Sequence, residues 1–446
     1  MPYIPMTEEN KKEMLKAIGV EKFEDLLCDI PEAIRFKGDL DLPQPMSELE
    51  VTNMIKSLAK QNASTATHTC FLGGGAYDHF IPAAIDHLIS RSEFYTAYTP
   101  YQPEVSQGNL QAIYEYQSMI AELTGMDIAN ASMYDGASAI AEAVLLATNH
   151  TRRPKVLISK AVHPHYRQVI QTYCNRAGIT LSEIDLSNGV TDLAQLETAI
   201  DNETAGVFVQ QPNFFGSLES VKEIADLAHK ANALLGVSVD PVSLGLLEAP
   251  GNLGADIVTG EGQGLGNALN FGGPYVGIFA VTKELIRKLP GRLAGVTEDK
   301  EGRRGFVLTL QTREQHIRRE KATSSICTNE QLCALASAIY MSLIGKTGLQ
   351  TVANLCLQKA HYLAEEINKI PGYHLYFEQP FFKEFAVKCP IKPQQIIDSL
   401  LEKNMLAGIN LNRFDYGIED GLLVAVTEKR TKEEMDQLVD TIKALN

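Results

Sequence analysis

The stretch Asp256–Pro274 reads DIVTGEGQGLGNALNFGGP. A short apolar run opens it, and glycines follow at 260, 262, 264, 266, 272 and 273. A loop of this kind at the end of a strand lets something come close to the backbone, yet this one carries no side chain suited to covalent chemistry. Its glycines loosely echo the dinucleotide pattern GxGxxG. That pattern needs a helix directly behind the glycines, so that the helix N-terminus meets the pyrophosphate. Here NALNFGGP follows, then a second apolar run, YVGIFAV. The context argues against a nicotinamide enzyme.

Upstream of the loop, the runs KVLISKA, TLSEIDL, GVFVQQPN and LLGVSVD alternate with helix-like YRQVIQTYCNRAG and VKEIADLAHKAN. Strands alternating with helices of this length mean crossover units and a mostly parallel sheet covered on both faces. The pattern predicts a large α/β domain over residues 65–310. Before it, residues 1–64 read as an arm of short helices. TEENKKEMLKAIG and SELEVTNMIKSLAKQN have apolar positions at helical spacing behind Thr7 and Ser47 as caps, with prolines 31, 43 and 45 between them. Past Pro290 the chain turns basic and polar, then helical. The runs YHLYF, FFKEFAVKC, GINLNRF and GLLVAVTE, interleaved with helices, predict a small α+β domain over 311–446.

A chain of 446 residues with 45% hydrophobic and 21% charged residues has the composition of an ordinary globular enzyme. Its net charge of -15 repels phosphate and argues against nucleic acid as a partner. The apolar runs are short and broken, so no membrane span is expected. The first residues look like neither a secretory nor an organelle signal. Seven scattered cysteines without a CxxC pair fit reduced thiols in a cytoplasm and no zinc site, with Cys327 and Cys333 in a helical region. GKTG at 345–348 lacks the remainder of a phosphate loop and reads as a helix-end turn. His163 and His165 stand in HPHYRQVI, a helix start with no acidic or thiol cluster beside it, so no metal site is expected.

The order of parts resembles the fold-type I pyridoxal-phosphate enzymes: helical arm, Gly/Ala loop opening a helix, short strands, an Asp closing a strand, a glycine loop, and a small C-terminal domain. That likeness implies a mostly parallel sheet of the seven-stranded type. It also places Asp240, at the end of LLGVSVD, opposite the cofactor's pyridinium nitrogen, and a Schiff-base lysine just after the next strand. The lysine is missing. No lysine occurs between Lys230 and Lys283, and Gln263 or Gly264 occupies its place. The early loop, YDGASA, sets Asp135 where a helix N-terminus would otherwise receive the cofactor phosphate. Asp135 is expected to cap the helix itself. The chain therefore reads as an enzyme fold without a cofactor of its own. An autonomous enzyme using Lys160 or Lys321 instead is the alternative.

Three stretches make the likeness specific. FYTAYTPYQPEVSQGNLQAIYEYQ (94–117), GEGQGLGNALNFGGPYVGIFA (260–280) and GRRGFVLTLQTREQHIRREKATSSICTNEQL (302–332) resemble the glycine decarboxylase P-proteins of the glycine cleavage system, at their subunit 1 (alpha) branch. The resemblance extends over essentially the whole chain. It implies a subunit of a heteromeric glycine dehydrogenase (aminomethyl-transferring). A homologous subunit 2 would carry pyridoxal phosphate in an α2β2 heterotetramer, with the lipoyl-bearing H-protein as acceptor. This chain would then hold no cofactor covalently and would contribute in trans. The in-trans candidates are Tyr95, Thr96, Tyr98, Tyr101, Gln102 and Glu104. The basic run Arg303, Arg304, Arg313, Arg318, Arg319 and Lys321 is a further surface for a phosphate, a carboxylate or an acidic partner. A scaffold that only stabilises its partner is the remaining reading.

Overall fold

The computed structural model describes residues 6–322, 324–326 and 328–445. Cys327 lies outside the described residues. The chain divides into two compact units, Met1–Ala63 and Ser64–Asn446. In the first, helices α1 (Glu8–Ile18) and α2 (Glu48–Ala59) start where expected. The Thr7 and Ser47 side chains accept from the amides of Asn10 and Glu50. Neither helix buries a residue, and Met14, Ile18, Phe36, Leu49 and Ile55 remain exposed.

The second unit is built on a seven-stranded sheet. Its strands in chain order are β1 (Ile128–Ala129), β2 (Lys155–Ser159), β3 (Thr180–Ile184), β4 (Thr204–Gln211), β5 (Leu234–Val239), β6 (Ile257–Glu261) and β7 (Gly277–Val281). They lie side by side as β1-β7-β6-β5-β4-β2-β3. Strands β2 to β6 run parallel, and β7 is antiparallel to both of its neighbours. All six apolar runs named from the sequence are strands. The two-residue β1 is too short for any alternation to announce it.

Successive residues point to opposite faces, so a strand buried on both sides reads as a continuous apolar run. Val156 and Ile158 enter one core and Leu157 the other; likewise Phe208 parts from Val207 and Val209. Helices α4 (Gly136–Thr151) and α5 (Pro164–Ala177) cover one face. Helices α3 (Gln107–Thr124), α6 (Val221–Lys230) and the first half of α7 (Gln331–Asn368) cover the other. The helix α7 is long and apolar enough to cross a membrane by length and composition. Its Ala334, Tyr340 and Ala353 lie in the large core and its Leu363 and Ile367 in the C-terminal one, which is the packing of a core helix. Gly345, at φ 58°, breaks it at the GKTG turn.

The basic stretch after Pro290 forms a hairpin, β8 (Ala294–Glu298) with β9 (Arg304–Leu308), that seats Phe306 on Leu110 and Ile113 of α3. Its charges conceal that short apolar face in the sequence. The C-terminal part is a four-stranded antiparallel sheet ordered β10 (His374–Leu375), β11 (Glu384–Lys388), β13 (Gly421–Ala425), β12 (Ile409–Asn410). Helices α8 (Pro393–Leu401) and α9 (Lys432–Ala444) pack on it with the end of α7. Strand β11 enters beside the ends of β4 and β5, where Ser217 bridges Phe381.

Candidate functional site

The loops that follow β4, β5 and β6 meet the segment 73–79 and residues 382–384 around one cavity. In an open parallel sheet this end of the strands is where ligands bind. Asp240 closes β5 there, with its Oδ2 2.8 Å from Lys383 Nζ. Gln263 is buried. Its Oε1 accepts from the Tyr77 amide at 2.8 Å, and its Nε2 donates to the carbonyls of Tyr77 (3.1 Å) and Asn267 (2.8 Å). Gly264 lies under His79, whose ring a Cβ would approach to 3.1 Å. Asp135 is the N-cap of α4, accepting from the Ser138 amide at 2.7 Å.

A second carboxylate joins it. Glu261, the last residue of β6, accepts from the amides of Gly136 (3.0 Å), Gln263 (3.0 Å) and Val276 (3.3 Å). The α4 N-terminus, a ready anion site by its dipole and free amides, is thus filled by the chain's own acids. Burial pushes the Glu261 carboxyl up to about 8, against those three backbone donors, which favour the ionised form.

The amine of this site comes from far along the chain. Lys383, with a side chain 2% exposed, donates to Asp240 and, at 2.8 Å, to His79 Nε2, and stands 3.7 Å from the centre of the Tyr77 ring. With Nε2 accepting, His79 donates its single ring N–H to Glu428, Nδ1 to Oε2, at 2.6 Å. Burial, and then the Lys383 charge, lower the pKa of His79 and keep it neutral. Glu384 turns the other way from Lys383, accepting from the Gly74 amide (2.7 Å) and the Tyr77 hydroxyl (2.8 Å). Burial raises its carboxyl to about 7. No local signal in the sequence marks Lys383 or Glu384, because only β11's insertion between the loops brings them here. His79, Cys356 and Glu428 offer ligand atoms within 4.8 Å of one another. The Lys383 ammonium on His79 opposes a cation there, and the imidazole and carboxylate already bond to each other. His163 and His165 form no such group. His163 caps α5 by accepting from the His165 amide, and its Nε2 meets the Gly74 carbonyl at 2.8 Å.

Pyridoxal phosphate does not fit this cavity. The groups that line it, not its volume, decide this. The phosphate position holds Glu261 and Asp135. Lys383 sits at Asp240, the ring-nitrogen end, whereas an amine bonded to the cofactor must stand at the aldehyde on the opposite side of the ring. Lys160 is paired with Asp185 and Lys321 is exposed, so neither stands at Asp240.

The candidates of the 94–104 stretch lie elsewhere. Tyr95, Tyr98 and Tyr101 are 66%, 78% and 51% exposed, Thr96, Gln102 and Glu104 are exposed too, and none lines the cavity. Tyr101 alone of the tyrosines is anchored: its hydroxyl accepts from Arg292 Nη2 at 3.1 Å, under the guanidinium. The fold brings this stretch against the 302–332 stretch, since the Gln107 amide group exchanges two 2.8 Å bonds with the Phe306 backbone. Half of the basic run serves structure. Arg303 pairs with Asp299 and Glu301, Arg313 holds the carbonyls of Leu310 and Gly291, and Arg318 that of Thr312. Arg319 and Lys321 are exposed.

The family model described as glycine cleavage system P-protein matches residues 1–442. The chain is 57% identical to the probable glycine dehydrogenase (decarboxylating) subunit 1 of Chloroherpeton thalassium and 52% identical to that of Moorella thermoacetica, each alignment covering 100% of both chains. The crystal structure of a glycine decarboxylase (P-protein) of the glycine cleavage system, in inhibitor-bound form, is similar throughout: TM-score 0.92, 45% identity, 100% of each chain. A glutamate decarboxylase from Lactobacillus brevis, 12% identical with a TM-score of 0.70 over 93% of this chain, shares the fold.

Proposed function

Because this chain belongs to the glycine cleavage system P-protein family, we propose that it is the cofactor-free subunit of a glycine dehydrogenase (decarboxylating). The whole enzyme removes carbon dioxide from glycine and passes the remaining aminomethyl group to the lipoyl group of the H-protein. A subunit 2 of like fold is the partner in an α2β2 assembly. Pyridoxal phosphate on that partner supplies the electron sink for decarboxylation. One observation carries the reading above the rest: the cavity that the fold reserves for a cofactor is closed by Asp240, Lys383 and Glu261 of this chain.

The contribution of this chain is then made in trans, from its surface. Tyr95, Thr96, Tyr98, Gln102 and Glu104 present exposed side chains on one short stretch, and Tyr101 is fixed beside them by Arg292. Tyrosine combines a flat apolar face with a hydroxyl, which suits the wall of a narrow site for a small amino acid and a lipoyl arm. Glu104 adds an exposed carboxylate to this stretch.

Separate and joint expression tests the reading. Alone, the chain should stay colourless with pyridoxal phosphate and inactive toward glycine; with subunit 2 added, it should support turnover. In the assembled enzyme, Tyr98→Ala should cut kcat/KM by about tenfold or more with assembly and Tm unchanged. Full turnover by that variant would leave the chain a scaffold only.

A further inference from the structure

The misfit between cavity and cofactor has a consequence for the molecule's mechanics. We propose that the vestigial cofactor cavity of this chain is an internal latch: its own polar side chains occupy the places of a cofactor's polar groups, and Lys383 on Asp240 holds the C-terminal sheet closed on the large one. The inference rests on the reading of this chain as cofactor-free, and its test reads backbone exchange, not turnover.

Each polar position that the site would offer a ligand is occupied from within. Asp240, at the end of β5, receives the Lys383 ammonium at 2.8 Å in place of a ring cation. The α4 N-terminus receives Glu261 in place of a phosphate, at 3.0 Å from the Gly136 amide. An ammonium as deeply buried as Lys383 is costly unless charge and hydrogen bonds surround it. Here a carboxylate, an imidazole nitrogen and the Tyr77 ring face take its three protons' directions.

The groups that meet belong to distant parts of the chain. Asp240 and Glu261 end strands of the large sheet, Tyr77 and His79 come from the segment before it, and Lys383 and Glu384 come from the C-terminal sheet. Closure is tight in the backbone as well. The Phe382 amide donates to Gly216 at 3.1 Å, and a Cβ on Gly216 would run into the Glu384 carbonyl. A Cβ on Gly73 would strike the Glu384 carboxylate. Closing contacts that another protein obtains from a bound ligand are built into this chain, so it keeps one shape with the cavity empty.

Hydrogen exchange on the full chain in its assembled state, followed by mass spectrometry, tests this on the peptides spanning 71–80 and 381–388. Lys383→Met and Asp240→Asn each leave one buried partner uncompensated. Each should speed exchange in both peptides by about tenfold or more. The double variant Asp240→Asn/Lys383→Met severs the same link once and leaves no lone buried charge, so it should exchange more slowly than the faster single variant yet still about threefold or more faster than the native chain. The double variant also serves if a single variant fails to fold. Native-like exchange in Lys383→Met or in the double variant, or a double variant whose loss is the sum of the two singles, would overturn the latch.

Discussion

At the scale of single residues, the buried carboxyls decide how stability follows pH. Glu384 and Glu261 are raised from the ordinary 4.5 to about 7 and about 8, chiefly by burial. Both bind a proton more tightly folded than unfolded. Their contribution is whole below about 4.5 and is lost as the pH climbs through about 7 to 8. The thermal midpoint should therefore fall by several degrees between about pH 6 and pH 9, and Glu384→Gln should flatten part of that slope. A level native curve over the range would contradict the burial argument. Gln263 supports a second residue-scale expectation. Its amide is committed to Tyr77 and Asn267. Gln263→Lys, the simplest restoration of the missing amine, should yield no borohydride-trappable adduct at 263 by peptide mapping.

At the scale of elements, the helix cap and the glycine contact have separable costs. Asp135 caps α4 with its carboxylate on the Ser138 amide. Asp135→Ala should lower unfolding stability by about 1 kcal/mol, read by denaturant titration, and should not admit a cofactor while Glu261 holds the Gly136 amide. Gly216 is under more demand. Its φ of 83° lies in the left-handed region, and the Glu384 carbonyl occupies the space a Cβ would take. Gly216→Ala should cost roughly 3 kcal/mol or more and loosen β11 from the loop that follows β4. A change within experimental error would mean that the C-terminal sheet can shift without loss. The exposed tyrosines behave oppositely, because Tyr95 and Tyr98 are largely outside the fold's own packing. Their substitution should spare the isolated chain's Tm.

At the scale of the whole molecule, the polypeptide combines a fold shared with a glutamate decarboxylase and a cavity lined by its own paired side chains. The chain belongs to the glycine cleavage system P-protein family, and its relatives are named as subunit 1. Much was legible without coordinates. The six apolar runs announced strands β2 to β7, since a sheet buried on both faces leaves unbroken hydrophobic segments. The caps Thr7, Ser47 and Asp135 announced helix starts, because local side chains alone satisfy those amides. The absence of lysine between 230 and 283 leaves the loop after β6 without an amine of its own. What the tertiary structure alone decided is which side chains meet at Asp240 and at the start of α4. Lys383 meets Asp240 across more than a hundred residues, and Glu261 crosses to the start of α4. Neither pairing leaves a trace in spacing or periodicity, because long-range electrostatic contacts are set by how the sheets close and not by any neighbour along the chain.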